Sequence, residues 1–283
     1  MALRPADLLR YLNYNFLEYD LTIENHIYHT QLLQSEAVRI AYSSWRRDWR
    51  GPGREYCGGA LVWQLNDCWP VTSWAIVDFH LRPKMAFWTI KRESASLAVG
   101  MRRTDEATIE IWAINLALSG KTVDIVIKLW DVRDGKELNE VVHQDCVLKP
   151  NQTTELTVLS LPDGFESRYV AVAGYLYENE LVVARDVNFH NPLKEVPFQH
   201  PKNLSCIVCT HDNGSTWIEL GAEVPMKGVL VDLIGQKADD VSFDDNGVDL
   251  VPGEVLRLAV RGLEKVQQPK LVLRWLGGLQ TFN

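Results

Sequence analysis

The sequence predicts a multidomain chain: the C-terminal end of a (β/α)8 barrel over residues 1–95, followed by two immunoglobulin-like β-sandwich domains over residues 96–195 and 196–283. Three observations predict it. Helix-period apolar patterning fills roughly the first 50 residues. A short apolar run with a polar, aromatic exit and a second helical segment come next. From residue 97 the pattern changes to period-2 and β-branched runs separated by turn signals.

Pro5–Leu12 opens a short amphipathic segment. A longer one runs from about Thr22 to Arg47, with Ile23, Ile27, Leu32, Leu33, Ala37, Ile40 and Ala41 near helical spacing. Cations (Arg46, Arg47, Arg50) and then Gly51-Pro52-Gly53 end it. Ala60-Leu61-Val62, introduced by Gly58-Gly59, is short and wholly apolar, as in a strand buried on both faces. A helix over about Lys84–Ser94 follows Arg82-Pro83. Helix, strand, loop and helix make the closing segment of a (β/α) barrel, but one such unit cannot close the eight-unit ring.

Seven short strands are predicted over Leu97–Arg103, Ala107–Asn115, Thr122–Trp130, Val141–Leu148, Thr153–Leu159, Tyr169–Tyr177 and Leu181–Asn188. A proline-punctuated linker spans 191–201. A second set covers Ser205–Thr210, Thr216–Leu220, Gly228–Ile234, Asp240–Phe243, Glu254–Val260 and Lys270–Leu276. Trp112, Trp130 and Trp217 fit sandwich cores better than a sugar platform.

Residues 57–78 carry the functional signal. The apolar run breaks into Trp63, Gln64, Asn66, Asp67, Trp69, Ser73 and Trp74. Indole faces beside amide and carboxylate groups suit a sugar, whose CH-rich face packs on the ring while its hydroxyls take the hydrogen bonds. Each residue also has a plainer reading. Trp63 could plug a core, Asn66 and Asp67 could cap the following loop, and Trp69 and Trp74 could anchor it. Gln64 alternates away from Trp63 and reads as structural. Gln31, Gln34 and Glu36 of the long helix read as a solvated or packing face.

Gly58-Gly59-Ala60-Leu61-Val62-Trp63-Gln64-Leu65-Asn66-Asp67-Cys68-Trp69-Pro70, with Ser73-Trp74 and Asp78, closely resembles the last barrel strand of the β-mannosidases of glycoside hydrolase family 2. Leu81-Arg82-Pro83-Lys84, Phe87-Trp88 and Lys91-Arg92-Glu93 resemble the start of that family's final barrel helix. Asp244-Asp245-Asn246-Gly247 and Asp249–Glu254 resemble its C-terminal sandwich more weakly. The resemblance implies an exo-acting, retaining hydrolase of terminal non-reducing β-D-mannose. In it Trp63 floors the subsite of the departing sugar, and Asn66, Asp67 and Trp69 form the rim. It implies no metal and no cofactor.

Such a hydrolase needs two carboxyl groups about 5–5.5 Å apart. In the family they lie on earlier barrel strands, so neither catalytic carboxylate is expected in this chain. Asn139-Glu140 and Asn179-Glu180 mimic the acid/base pair only by coincidence. The expected partners are the N-terminal portion of the same enzyme (the barrel remainder and preceding β domains), held as a separate chain, and β-mannosides or manno-oligosaccharides. Two rival readings stay open. One is a family 2 exo-glycosidase for glucosaminides, glucuronides or galactosides; the other is a non-catalytic carbohydrate-binding or scaffold module.

A net charge of −8 argues against a nucleic-acid partner. No apolar run is long enough to span a membrane. The five cysteines are too scattered for a disulfide framework, and Cys206-x-x-Cys209 lacks a second ligand pair. Free thiols favour a cytoplasmic setting, while glycosylation patterns at Asn151, Asn203 and Asn213 leave secretion open.

Overall fold

The computed structural model describes residues 5–16, 22–211, 214–236 and 241–282. Asn213 of the third glycosylation pattern and Asp240 at the start of an expected strand lie outside them. Among the described residues three α-helices come first: α1 (Pro5–Asn15), α2 (Ile23–Arg47) and α3 (Met85–Glu93). Fifteen strands follow among the described residues. In the order of the chain they are β1 (Leu97–Arg103), β2 (Thr108–Asn115), β3 (Lys121–Asp131), β4 (Glu137–Leu148), β5 (Gln152–Ser160), β6 (Val170–Glu178) and β7 (Leu181–Asn188), then β8 (Ser205–Thr210), β9 (Thr216–Gly221), β10 (Met226–Gln236), β11 (Ser242–Phe243), β12 (Val248–Leu250), β13 (Leu256–Arg261), β14 (Gln267–Trp275) and β15 (Gly278–Phe282). Among the described residues no helix is long and apolar enough to cross a membrane.

The structure corrects the expected fold class. Three helices are too few for a (β/α)8 barrel, and the four sheets among the described residues are open, one of three strands and three of four, none of them closed. The Ala60–Val62 run expected as a doubly buried strand is in no sheet, and Leu61 is 97% exposed. A strand can bury both faces only where neighbours on either side take up its backbone N–H and C=O groups. Among the described residues no strand flanks this run. The immunoglobulin-like sandwich expectation falls with it: spacing and turn signals locate hairpins, but they do not set how sheets close or stack.

The chain forms two compact units, one of residues up to Leu129 with Glu137–Val196, the other of Trp130–Lys136 with the residues from Pro197 on. In the first, the sheets β1-β2-β5 and β4-β3-β6-β7 contribute to one core. Alternate residues of β2 (Ile109, Ile111, Ala113) meet Val123, Ile125 and Ile127 of β3 and Val170 and Val172 of β6 there, the period-2 logic of a strand with one inward face. The β6–β7 hairpin turns at Asn179-Glu180, both at positive φ, between the paired residues Glu178 and Leu181. That is the two-residue turn whose twist suits antiparallel strands, and it explains this Asn-Glu pair. Glu140 of the other pair lies in β4 and binds Lys128 at 2.5 Å.

In the second unit β12-β10-β14-β15 and β11-β13-β9-β8 share a core that includes Ile218, Leu220, Val229, Val231, Leu258 and Leu273. The Asp244–Gly247 motif is structural here. Buried Asn246 accepts from the Val231 N–H at 2.8 Å and donates to its carbonyl at 2.7 Å, while Asp249 accepts from the Gly228 N–H at 2.8 Å and from Lys227 at 2.9 Å. Trp217 departs from the expected core position. It alternates with the fully buried Ile218 and Leu220, and Arg257 lies 5.9 Å from its ring.

Candidate functional site

The platform of the candidate site is α2. Thr22 caps it, accepting from the Asn25 N–H at 3.4 Å. Its apolar side, with Tyr28, Leu32 and Tyr42, is buried. Three side chains on this helix hold α3 and the loop before it. Ser35 and Thr89 of α3 share a hydrogen bond of 2.6 Å. The Gln31 carbonyl accepts from the Met85 N–H at 3.1 Å, giving α3 the N-terminal acceptor that its N-cap Lys84 does not supply. Gln34 donates to the Trp74 carbonyl at 2.6 Å. The two glutamines read in sequence as a solvated or packing face are therefore the loop's anchors. No sequence pattern distinguishes them, because their acceptor and donor lie 40 and 54 residues away.

The segment from Trp63 to Lys84 is a ladder of irregular backbone. Ile76 and Val77 donate to the carbonyls of Gln64 and Leu65 at 3.2 and 2.9 Å, Asp67 donates to Val77 at 3.1 Å, and Lys84 donates to Ile76 at 2.9 Å. Val77 forms isolated bridges with Asn66 in parallel and with Pro83 antiparallel. Ala75 and Ile76 are buried beneath. The Trp63–Gln64 peptide is cis.

On this ladder the four residues singled out in sequence separate into two groups. Trp63 is 80% exposed and Trp69 60% exposed, and Asn66 is exposed with its amide donating to the Asp67 carbonyl at 3.1 Å. Asp67 is buried instead. Its carboxylate accepts from the Ser73 hydroxyl at 2.5 Å and from Lys84 at 3.3 Å, and Ser73 in turn takes the Ala75 N–H at 3.0 Å. A buried carboxylate with a cation and a hydroxyl on it is a brace for the loop. Asp78 is a second brace. Burial pushes its carboxyl up, but hydrogen bonds from the backbone and guanidinium of Arg82 and from the His80 N–H outweigh that and hold it below the usual range.

Around these braces Tyr56, Leu61, Trp63, Leu65, Trp69, Phe79 and Leu81 are all exposed. The surface is apolar and aromatic with amide and hydroxyl groups between, able to stack a ring and hydrogen-bond hydroxyls, and among the described residues it holds no unoccupied carboxylate pair. Among the described residues no group of three or more His, Cys, Asp or Glu side chains could hold a metal ion. Cys206 faces the second unit's core, where burial pushes its thiol up to about 12, while Cys209 lies opposite Trp217.

Residues 107–195 match the family model described as Mannosidase Ig/CBM-like domain. The chain is 46% identical over 277 residues to the β-mannosidase B of Thermothelomyces thermophilus and 35% identical over 270 residues to that of Aspergillus terreus. Each match covers 90% of this chain and 31% of the relative, so the chain spans under a third of the length of these proteins. Among solved structures, a β-D-mannosidase from Dictyoglomus thermophilum superposes with a TM-score of 0.77 at 18% identity, covering 98% of this chain and 32% of that one. An exo-chitosanase from Amycolatopsis orientalis gives 0.73 at 17% identity, covering 93% and 35%. At such identities the likeness is one of fold. The sequence matches carry the kinship: the chain is a homologue of the C-terminal portion of the fungal β-mannosidase B proteins, glycoside hydrolases of the family 2 type.

Proposed function

We propose that this chain is the C-terminal part of an exo-acting, retaining β-mannosidase that releases terminal non-reducing β-D-mannose. The observation that carries the proposal is the uncovered Trp63, held at 80% exposure on a loop anchored by Gln34, Asp67 and Lys84. An exposed indole on a mobile tail would suit many roles; one held by such a framework suits the floor of a sugar subsite. In this reading Trp63 packs under the mannose that departs, Trp69 and Asn66 border it, and Asp67 is a positioning residue. The N-terminal portion of the same enzyme supplies the nucleophile and the acid/base carboxyl, about 5–5.5 Å apart. Asp67 and Asp78 are committed to Lys84 and Arg82 and leave those two roles to that portion. In this reading the site lies within residues 1–95.

The test is hydrolysis of a panel of nitrophenyl β-glycosides by the intact enzyme. The reading expects β-mannoside to be the best substrate, with Trp63→Ala costing about 10²-fold in kcat/KM, the scale of a lost positioning contact. Preference for glucosaminide would transfer the chain to the exo-glucosaminidases. An unchanged kcat/KM in Trp63→Ala would remove the indole from the site.

A further inference from the structure

In the second unit, the sheet β11-β13-β9-β8 carries a side-chain cluster on the face turned away from its core. Trp217 and Glu219 of β9 alternate with Ile218 and Leu220, both fully buried, and so lie on that outer face. The strand register puts Cys209 of β8 and Ala259 of β13 beside Trp217, and Arg257 of β13 beside Glu219. Cys209 and Ala259 are small, which leaves the indole standing above its neighbours on the sheet.

One carboxylate oxygen fixes this cluster. Glu219 Oε1 accepts from the Trp217 indole N–H at 3.1 Å and from Arg257 Nε at 3.0 Å. The hydrogen bond from Trp217, and after it that from Arg257, hold the Glu219 carboxyl below its usual range against desolvation. The His211 ring, 4.6 Å from the indole centroid and inclined by 47°, closes one side. The Arg257 guanidinium is 5.9 Å from the ring centre. Carbon atoms in contact stand about 3.5–4.0 Å apart, so Arg257 sits at the margin of the indole and does not lie flat on it. Among the described residues Glu219 Oε2 and the two Nη groups of Arg257 have no hydrogen-bond partner, and Arg257 is exposed. The cluster therefore offers a ring whose N–H is already used, with one acceptor and several donors to spare along its edge.

We propose that this face binds a neutral saccharide, one pyranose packing its CH-rich side on Trp217 while adjacent hydroxyls bridge Glu219 and Arg257. The chemistry of the cluster selects that guest. Oε2 takes a donor and the Nη groups take an acceptor; a hydroxyl is both, and two neighbouring hydroxyls meet the pair at once. The charges of Glu219 and Arg257 cancel, so the cluster asks no net charge of its ligand. A wholly apolar partner would bury the same polar atoms without replacing their water, at a cost. The indole and the guanidinium are already pinned to Glu219 Oε1, which lowers the ordering cost of binding.

The test uses the whole chain and isothermal titration with β-1,4-linked mannohexaose and, separately, cellohexaose. Every sample carries Trp63→Ala, so that the indole of the 57–84 loop contributes nothing to the signal. Saturable binding of at least one hexasaccharide is expected. It should weaken about tenfold in Trp217→Ala, the scale of one aromatic contact, and about fivefold in Arg257→Met, which removes the spare donors. Trp217→Phe keeps a ring and should fall between the parent and Trp217→Ala. Arg257 is exposed, so Arg257→Met keeps the fold and decides the matter should the tryptophan variants misfold. No saturable binding of either sugar, or an affinity in Trp217→Ala or Arg257→Met equal to that of the parent, would overturn the proposal. Failure here leaves the mannosidase reading standing, because this cluster shares no residue with the loop or its anchors.

Discussion

Residues 57–81 and the sheets of 97–188 use the same side-chain types to opposite ends. In the loop, Leu61, Trp63 and Trp69 are 97%, 80% and 60% exposed. In the sheets, Ile111, Ile127 and Trp112 are at most 1% exposed. Both regions are well anchored, the loop by Gln31, Gln34, Asp67 and Asp78, the sheets by their ladders. The difference is therefore not one of order. The sheets bury apolar groups against one another, whereas the loop uses its polar groups to hold apolar ones outward, as a binding or docking surface does.

Substitutions on each side can break that contrast. The largest effect is expected at Trp63, where alanine should lower kcat/KM about 10²-fold, equivalent to about 2.7 kcal/mol of transition-state stabilisation. Unfolding in urea should shift by less than about 0.5 kcal/mol, because the ring is exposed. A large loss of stability would mean that Trp63 is packed as the sheet residues are.

Arg47 comes next. It closes α2 onto the β1-β2-β5 sheet, donating to Glu155 at 2.9 and 2.6 Å and to Glu110 at 2.6 Å while covering Trp112. Arg47→Ala should cost about 2–3 kcal/mol in urea unfolding, since it strips a partner from Glu110 and uncovers the indole. The acid side of the stability curve should change too. The hydrogen bond from Arg47, ahead of the opposing burial, holds the Glu110 carboxyl below its usual range. Its contribution is thus present above the ordinary carboxylate pKa and lost as pH falls through the lowered one. In Arg47→Ala that acid loss should shrink.

A smaller effect is expected at Gly100, where a Cβ would fall 2.5 Å from the Trp112 ring. Gly100→Ala should destabilise by about 1–3 kcal/mol. Gly58→Ala meets nothing within 4 Å and should stay within about 0.5 kcal/mol. Equal costs at the two glycines would erase the distinction between packed sheet and open loop.

Glu93, at the end of α3, gives the smallest and most pH-specific effect. Burial, and then the charge of Asp186, push its carboxyl up to about 8 against Arg39, Arg46 and Arg92. The folded state then binds a proton that the unfolded state has released, so stability should fall as pH rises from about 4.5 to about 8 and level off above. Glu93→Gln should flatten that slope and gain on the order of 1 kcal/mol at pH 8.5, with little change at pH 4, as read from thermal midpoints.

Much of the element pattern was legible without coordinates. The helix ending at Arg47 and the strands at 97–103, 181–188 and 205–210 lie where periodicity and turn residues put them, because these are local properties of spacing and backbone preference. Strands β12 and β15 were not legible: β12 is three residues long and β15 carries no clear alternation, so neither offers a period to read. The 60–62 run misled for the opposite reason. Its composition describes a strand with neighbours on both sides, and composition does not say whether those neighbours are present.

The site divides along the same line. By itself the sequence determined that Trp63 and Trp69 stand on one segment among amides and hydroxyls, since residue chemistry travels with the chain. Only the tertiary structure decided that Asp67 braces while Trp63 faces outward, and that Gln31 and Gln34 hold the loop and α3. Those outcomes rest on partners 17 to 54 residues apart, and burial and pairing over such distances follow from the packing of the whole unit.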